Sequence, residues 1–131
     1  MKRYVREPGS AQVGRWVRDA RLFTSRLTFV EVASAAARML RSGEIHLPRY
    51  HRVRRALDSD AALFETVELD GPVAATATDL LGGHALRAAD AVQLASCLSL
   101  TRRFGAEVEF VCFDQPLGIA AREEGLRVLG G

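Results

Sequence analysis

Three acids stand where a carboxylate could do chemistry. Asp90 lies in Arg87-Ala88-Ala89-Asp90-Ala91-Val92-Gln93-Leu94-Ala95, with an alanine on each side and Ala91, Leu94 and Leu98 as its company. An unpaired carboxylate is costly to desolvate there, so a fixed cation or a metal should compensate it. An ion pair with Arg87, or a place in the first turn of a helix, accounts for the same residue without any chemistry. Glu31 and Asp114 share this ambiguity: Glu31 can pair with Arg38 or face solvent, and Asp114 can cap the helix after it. As a cluster they carry a different implication. Two carboxylates about 4 Å apart repel by roughly 4 kcal/mol at an effective dielectric of 20, so such a group normally needs a divalent ion. Carboxylate and water oxygens suit Mg²⁺ or Mn²⁺ best.

The elements that must position these acids follow from periodicity and punctuation. Pro8-Gly9-Ser10 opens a short amphipathic helix, Ala11 to Ala20, and Arg21 to Thr24 is a brief strand. Ser25 caps a long pattern, Leu27 to Leu40, apolar over most of its circumference and therefore expected to be buried. Pro48 begins a helix to about Leu57 that carries Arg49, His51, Arg52, Arg54 and Arg55, either a solvated face or a surface for phosphates or a partner. Asp58-Ser59-Asp60 reads as loop and helix cap. Phe64 to Leu69 alternates as a strand, Val73 to Leu81 is helical until Gly82-Gly83, and the longest apolar helix runs from about Leu86 to Phe104. Val108 to Phe113 is a buried strand, Pro116 to Glu124 a helix, and Leu126 to Leu129 a last strand. Short strands alternating with helices imply an α/β sandwich with a mainly parallel sheet. Its functional crevice should lie beyond the carboxyl ends of the strands, where all three acids fall.

Composition narrows the class. A chain of 131 residues, 48% hydrophobic and 26% charged, suits one globular domain that buries roughly two-thirds of its unfolded surface. No apolar run is long enough for a membrane span and no signal peptide opens the chain, so the expected compartment is the cytoplasm. Cys97 and Cys112 read as reduced core residues, and His46, His51 and His84 as solvated or capping side chains without metal-ligand spacing. The net charge of +2 does not announce a nucleic-acid binder. Lys2 is the only lysine, which excludes a lysine base and disfavours a phosphoacceptor receiver domain.

Thr24-Ser25-Arg26-Leu27-Thr28-Phe29-Val30-Glu31-Val32-Ala33-Ser34-Ala35, then Leu86 to Ala95 around Asp90, then Phe110-Val111-Cys112-Phe113-Asp114-Gln115-Pro116-Leu117 resemble the three later acidic motifs of PIN-domain ribonucleases, in particular VapC-type toxins. The resemblance covers nearly the whole chain and includes Tyr4 to Ser10 and Ala120 to Leu126. It implies a PIN-like three-layer sandwich, a short parallel sheet flanked by helices, spanning residues 1–131 as a single domain. It further implies a Mg²⁺- or Mn²⁺-dependent endoribonuclease in which Glu31, Asp90 and Asp114 hold the ion and Arg26 and Arg87 contact RNA phosphates. The implied partners are RNA, a VapB-type antitoxin and a second copy in a homodimer. The alternative is a nuclease-dead relative that engages an antitoxin without cutting RNA.

One departure bears on all of this. The family pattern opens with a buried strand ending in aspartate, and Met1-Lys2-Arg3-Tyr4 enters where that motif should just have ended. The expectation is a sheet without its central strand, with exposed neighbours and a weaker ion site. Family members often read Val-Lys-Arg-Tyr at this point, and a valine codon can serve as a start. A misplaced start in a GC-rich genome predicts an in-frame strand ending in Asp just upstream of codon 1; a stop codon there sinks the idea.

Overall fold

The computed structural model describes residues 3–6 as backbone, and residues 21–105 and 108–130 in full. The elements along these residues are β1 (Arg3–Arg6), β2 (Arg21–Ser25), α1 (Arg26–Arg41), α2 (Leu47–Ala61), β3 (Glu65–Val67), α3 (Gly71–Gly83), α4 (Ala88–Phe104), β4 (Val108–Val111), α5 (Gln115–Glu123) and β5 (Arg127–Leu129). The helix expected at Ala11 to Ala20 lies outside the described residues.

The strands form one sheet in the order β3-β2-β1-β4-β5, and each printed pairing is parallel, with Tyr4 opposite both Leu22 and Glu109. Parallel neighbours need crossovers; α1 and α2 run between β2 and β3, and α5 between β4 and β5, which gives the flanked α/β sandwich expected from the alternating pattern. Arg3–Arg6 fills the central slot, so β2 and β4 do not present the open edges that the sequence led us to expect there. On the outer side of β2, Arg21 makes a two-pronged ion pair with Glu65, which pins β3 to the sheet.

The core is organised on α4. Ala91, Leu94 and Cys97 are fully buried and Leu100 nearly so, packed with Phe23, Phe110 and Leu117, while Val73, Ala77 and Leu80 bring α3 onto the same helix. All residues of β4 are buried, as expected of a strand covered on both faces. Both cysteines are free and buried, and burial pushes the Cys97 thiol well above its ordinary range.

Side-chain caps set where the helices begin. Ser25 Oγ accepts from Leu27 N at 3.2 Å, Asp70 Oδ1 from Val73 N at 2.9 Å, and Asp114 Oδ2 from Leu117 N at 3.0 Å. Gly105 ends α4 with φ +71°, a conformation that other residues rarely adopt.

Several sequence expectations shift. Helix α1 is not buried around its circumference: only Thr28 and Ala36 are, and Val30 is 62% exposed. Helix α2 continues through Asp58-Ser59-Asp60 rather than ending before them, and α3 continues through Gly82-Gly83. Strand β3 contracts to three residues because Phe64 and the Glu68-Leu69 pair fall outside the ladder with β2. Among the described residues, no helix is long and apolar enough to cross a membrane.

Candidate active site

The junctions beyond the carboxyl ends of β2 and β4, together with the start of α4, converge on one cleft of about 920 Å³. Glu31, Asp90 and Asp114 line it, together with Arg38, Arg87, His84, Leu81, Ala85, Leu86, Ala89 and Pro116. The three acids singled out from sequence thus face the same space. Each arrives from a different local cause. Ser25 starts α1 at the end of β2, and Glu31 follows within the second turn. Arg87 occupies the N-cap position of α4 and puts Asp90 in its first turn, where the helix dipole favours an anion. Asp114 caps α5 through one oxygen while its side chain lines the cleft, so capping does not take it out of the cleft.

Glu31 is held from across the helix pair. The buried amide of Gln93 on α4 donates to Thr28 Oγ1 at 2.6 Å and to Glu31 Oε1 at 3.2 Å, while Thr24 Oγ1 donates to Thr28 Oγ1 at 2.9 Å. Gln93 Oε1 is buried without a hydrogen-bond partner among the described residues, an arrangement that costs about 1–3 kcal/mol.

The arginines divide. Arg38, two turns beyond Glu31, lies in the cleft and donates to Ser34 Oγ at 3.2 Å instead of pairing with Glu31. Arg87 lies in the cleft, and among the described residues its side chain makes no ion pair or hydrogen bond. Arg26 is elsewhere: its guanidinium grips Glu68 through Nε to Oε1 at 2.7 Å and Nη2 to Oε2 at 2.8 Å. Neither Glu31 nor Asp90 is its partner.

The Arg26 hydrogen bonds hold the Glu68 carboxyl below its usual range, against a smaller upward push from desolvation. A carboxyl depressed in the folded state adds stability above its unfolded pKa and loses it as pH falls through the lower folded value. The pair is solvent-screened, so the effect on folding is small. NMR titration of Glu68 should show its midpoint rising in Arg26→Gln; an unmoved midpoint would remove Arg26 as the cause.

His84 closes one wall and was not distinguished in the sequence from a solvated histidine. Its ring is 11% exposed, with Nδ1 3.3 Å from Glu123 Oε2 and Nε2 2.8 Å from Glu124 Oε2, tying the end of α3 to the end of α5. Arg38 and Gln93 were also missed. Their signal was helical spacing: Arg38 follows Glu31 by two turns, and Gln93 follows Asp90 by three residues, the same face in each case.

The donor chemistry fits a hard divalent cation in kind. Mg²⁺ keeps several waters and often takes only one or two carboxylates directly, and an open cleft with three acids suits that habit. Among the described residues, no three His, Cys, Asp or Glu side chains close around a single point.

No curated protein matches the sequence. Among solved structures, FitAcB from Neisseria gonorrhoeae is similar with TM-score 0.69 at 18% identity, covering 98% of this chain and 96% of that one. PAE2754 from Pyrobaculum aerophilum is similar with TM-score 0.66 at 18% identity, over 98% and 83% of the two chains. VapBC-1 from nontypeable Haemophilus influenzae is similar with TM-score 0.64 at 12% identity, over 99% and 98%. At such identities the likeness is one of fold. The sequence itself matches the PIN domain model over residues 4–103, most of its length and a span that includes Glu31 and Asp90, and the chain belongs to the PIN domain family.

Proposed function

We propose that this protein is a Mg²⁺- or Mn²⁺-dependent endoribonuclease of the VapC toxin type, working in the cytoplasm and restrained by a VapB-type antitoxin. One observation carries the proposal: Glu31, Asp90 and Asp114, from three separate junctions, line one cleft together with Arg38 and Arg87. Glu31, Asp90 and Asp114 would hold the ion. When bound, it supplies a water of lowered pKa and neutralises charge on the phosphoryl oxygens. Arg87 and Arg38 steady the RNA phosphates on either side, since a guanidinium matches phosphate with paired hydrogen bonds. Arg26 reaches RNA only by releasing Glu68, which makes it the weaker of the two phosphate contacts inferred from sequence. The VapC-like motifs support the antitoxin and a homodimer as partners.

A second reading has its own observation. The described carboxylates do not close around one point, which favours a nuclease-dead relative that occupies an antitoxin without cleaving RNA. Incubating the full chain with single-stranded RNA separates the two. The ribonuclease reading expects cleavage with Mg²⁺ or Mn²⁺, loss of cleavage in EDTA, and its return on adding excess metal. Antitoxin binding without cleavage under any of these conditions establishes the second reading instead.

A further inference from the structure

Gln93 has a role that folding alone does not account for. It is 3% exposed, lies three residues beyond Asp90 on α4, and reaches across to α1 to donate to Glu31 Oε1 at 3.2 Å and Thr28 Oγ1 at 2.6 Å. Its amide oxygen is left buried with no hydrogen-bond partner among the described residues. An apolar side chain of similar length removes that desolvated acceptor, and Glu31, which is only half-buried, can turn to water when its donor is lost. Thr28 does not depend on the amide either, since the Thr24 hydroxyl donates to it at 2.9 Å. What only the amide supplies is a donor to Glu31.

We propose that Gln93 is a positioning residue of the carboxylate cleft, holding Glu31 in one orientation toward the space it shares with Asp90 and Asp114. Glutamate has a rotamer-rich side chain, and fixing it before a ligand arrives removes an ordering cost from binding. The same helix face then carries one acid, Asp90, and the donor that orients another, so α4 sets the spacing of two walls at once. This inference rests on the metal-site reading of the cleft. Groups that orient a metal ligand without touching the ion typically alter affinity by 10–100-fold when removed.

The test is Mn²⁺ binding to the full chain, followed by the EPR signal of free Mn²⁺, alongside thermal unfolding without metal. Gln93→Met and Gln93→Leu are expected to weaken Mn²⁺ binding about tenfold while melting no lower than the parent. In a Glu31→Ala background, Gln93→Met is expected to have no further effect on Mn²⁺ affinity, because its action passes through Glu31. Parental affinity in both Gln93 variants overturns the proposal. So does a lowered melting temperature with a binding loss that persists in the Glu31→Ala background, which marks Gln93 as structural only. Asp90→Asn provides the separation: if it leaves Mn²⁺ binding at the parental level, the metal-site reading itself fails. If it abolishes binding while Gln93→Met does not weaken it, only the role of Gln93 falls.

Discussion

Asp90→Asn and Asp114→Asn are each expected to lower Mg²⁺-dependent RNA cleavage by at least about a hundredfold while leaving the protein folded. The gross attraction between one carboxylate and a divalent ion about 4 Å away is roughly 8 kcal/mol at an effective dielectric of 20, before desolvation is subtracted. If a third of it survives, the loss is about a hundredfold, since each 1.36 kcal/mol is a factor of about ten. Stability should hold because asparagine keeps the size of each side chain and one acceptor oxygen. Asn is about as good an N-cap as Asp, so the bond from Leu117 N to residue 114 can persist. At position 90 the change forfeits the helix-dipole contribution of about 0.3–1 kcal/mol, a small part of a domain's stability. Cleavage of single-stranded RNA and thermal unfolding of the same samples check both halves. Variants as active as the parent would end the assignment of these acids to catalysis.

Leu94→Ala is expected to destabilise the fold by about 3–5 kcal/mol, by the range measured for buried leucines. Leu94 is fully buried on α4, in one apolar cluster with Phe110 and Leu117. Truncation removes its transfer energy and leaves a cavity that the tightly packed parallel sheet cannot close. Against a total stability of about 5–15 kcal/mol, that is a large share. Val30→Ala, on the exposed side of α1, should change stability by no more than about 0.5 kcal/mol. Urea unfolding measures both; a Leu94→Ala midpoint at the parental value would mean that α4 does not nucleate the core.

The acids were legible in the sequence because each sits at a junction whose chemistry is local. Asp114 follows a run of apolar strand residues and precedes a proline, and Asp90 interrupts an apolar helix near its start. What was illegible depended on distance along the chain. His84 differs from a solvated histidine only through Glu123 and Glu124, and Arg26 found Glu68 rather than the neighbouring acids. The burial assigned to α1 from its composition also failed: an apolar circumference shows that a helix is able to be covered, and here Val30 and Met39 remain exposed. Gly82 and Gly83 looked like a stop, but α3 carries both in its last turn and ends at His84, whose backbone N–H reaches Leu80 O. The β-α alternation gave the sheet direction, while the occupant of its central position depended on pairings between residues as remote as Tyr4 and Glu109.

That central position has a consequence for the order in which the fold closes. Strands β2 and β3 precede α4, β4 and β5 follow it, and β1 joins the two groups by pairing with Arg21 on one side and Val108 on the other. The join needs contacts between residues as remote as Arg3 and Val108, the kind that close late because loop entropy must be met first. Glu31 belongs with the first group and Asp114 with the second. The spacing of these two acids is therefore set through β1, and a change that loosened this strand should part the walls of the cleft.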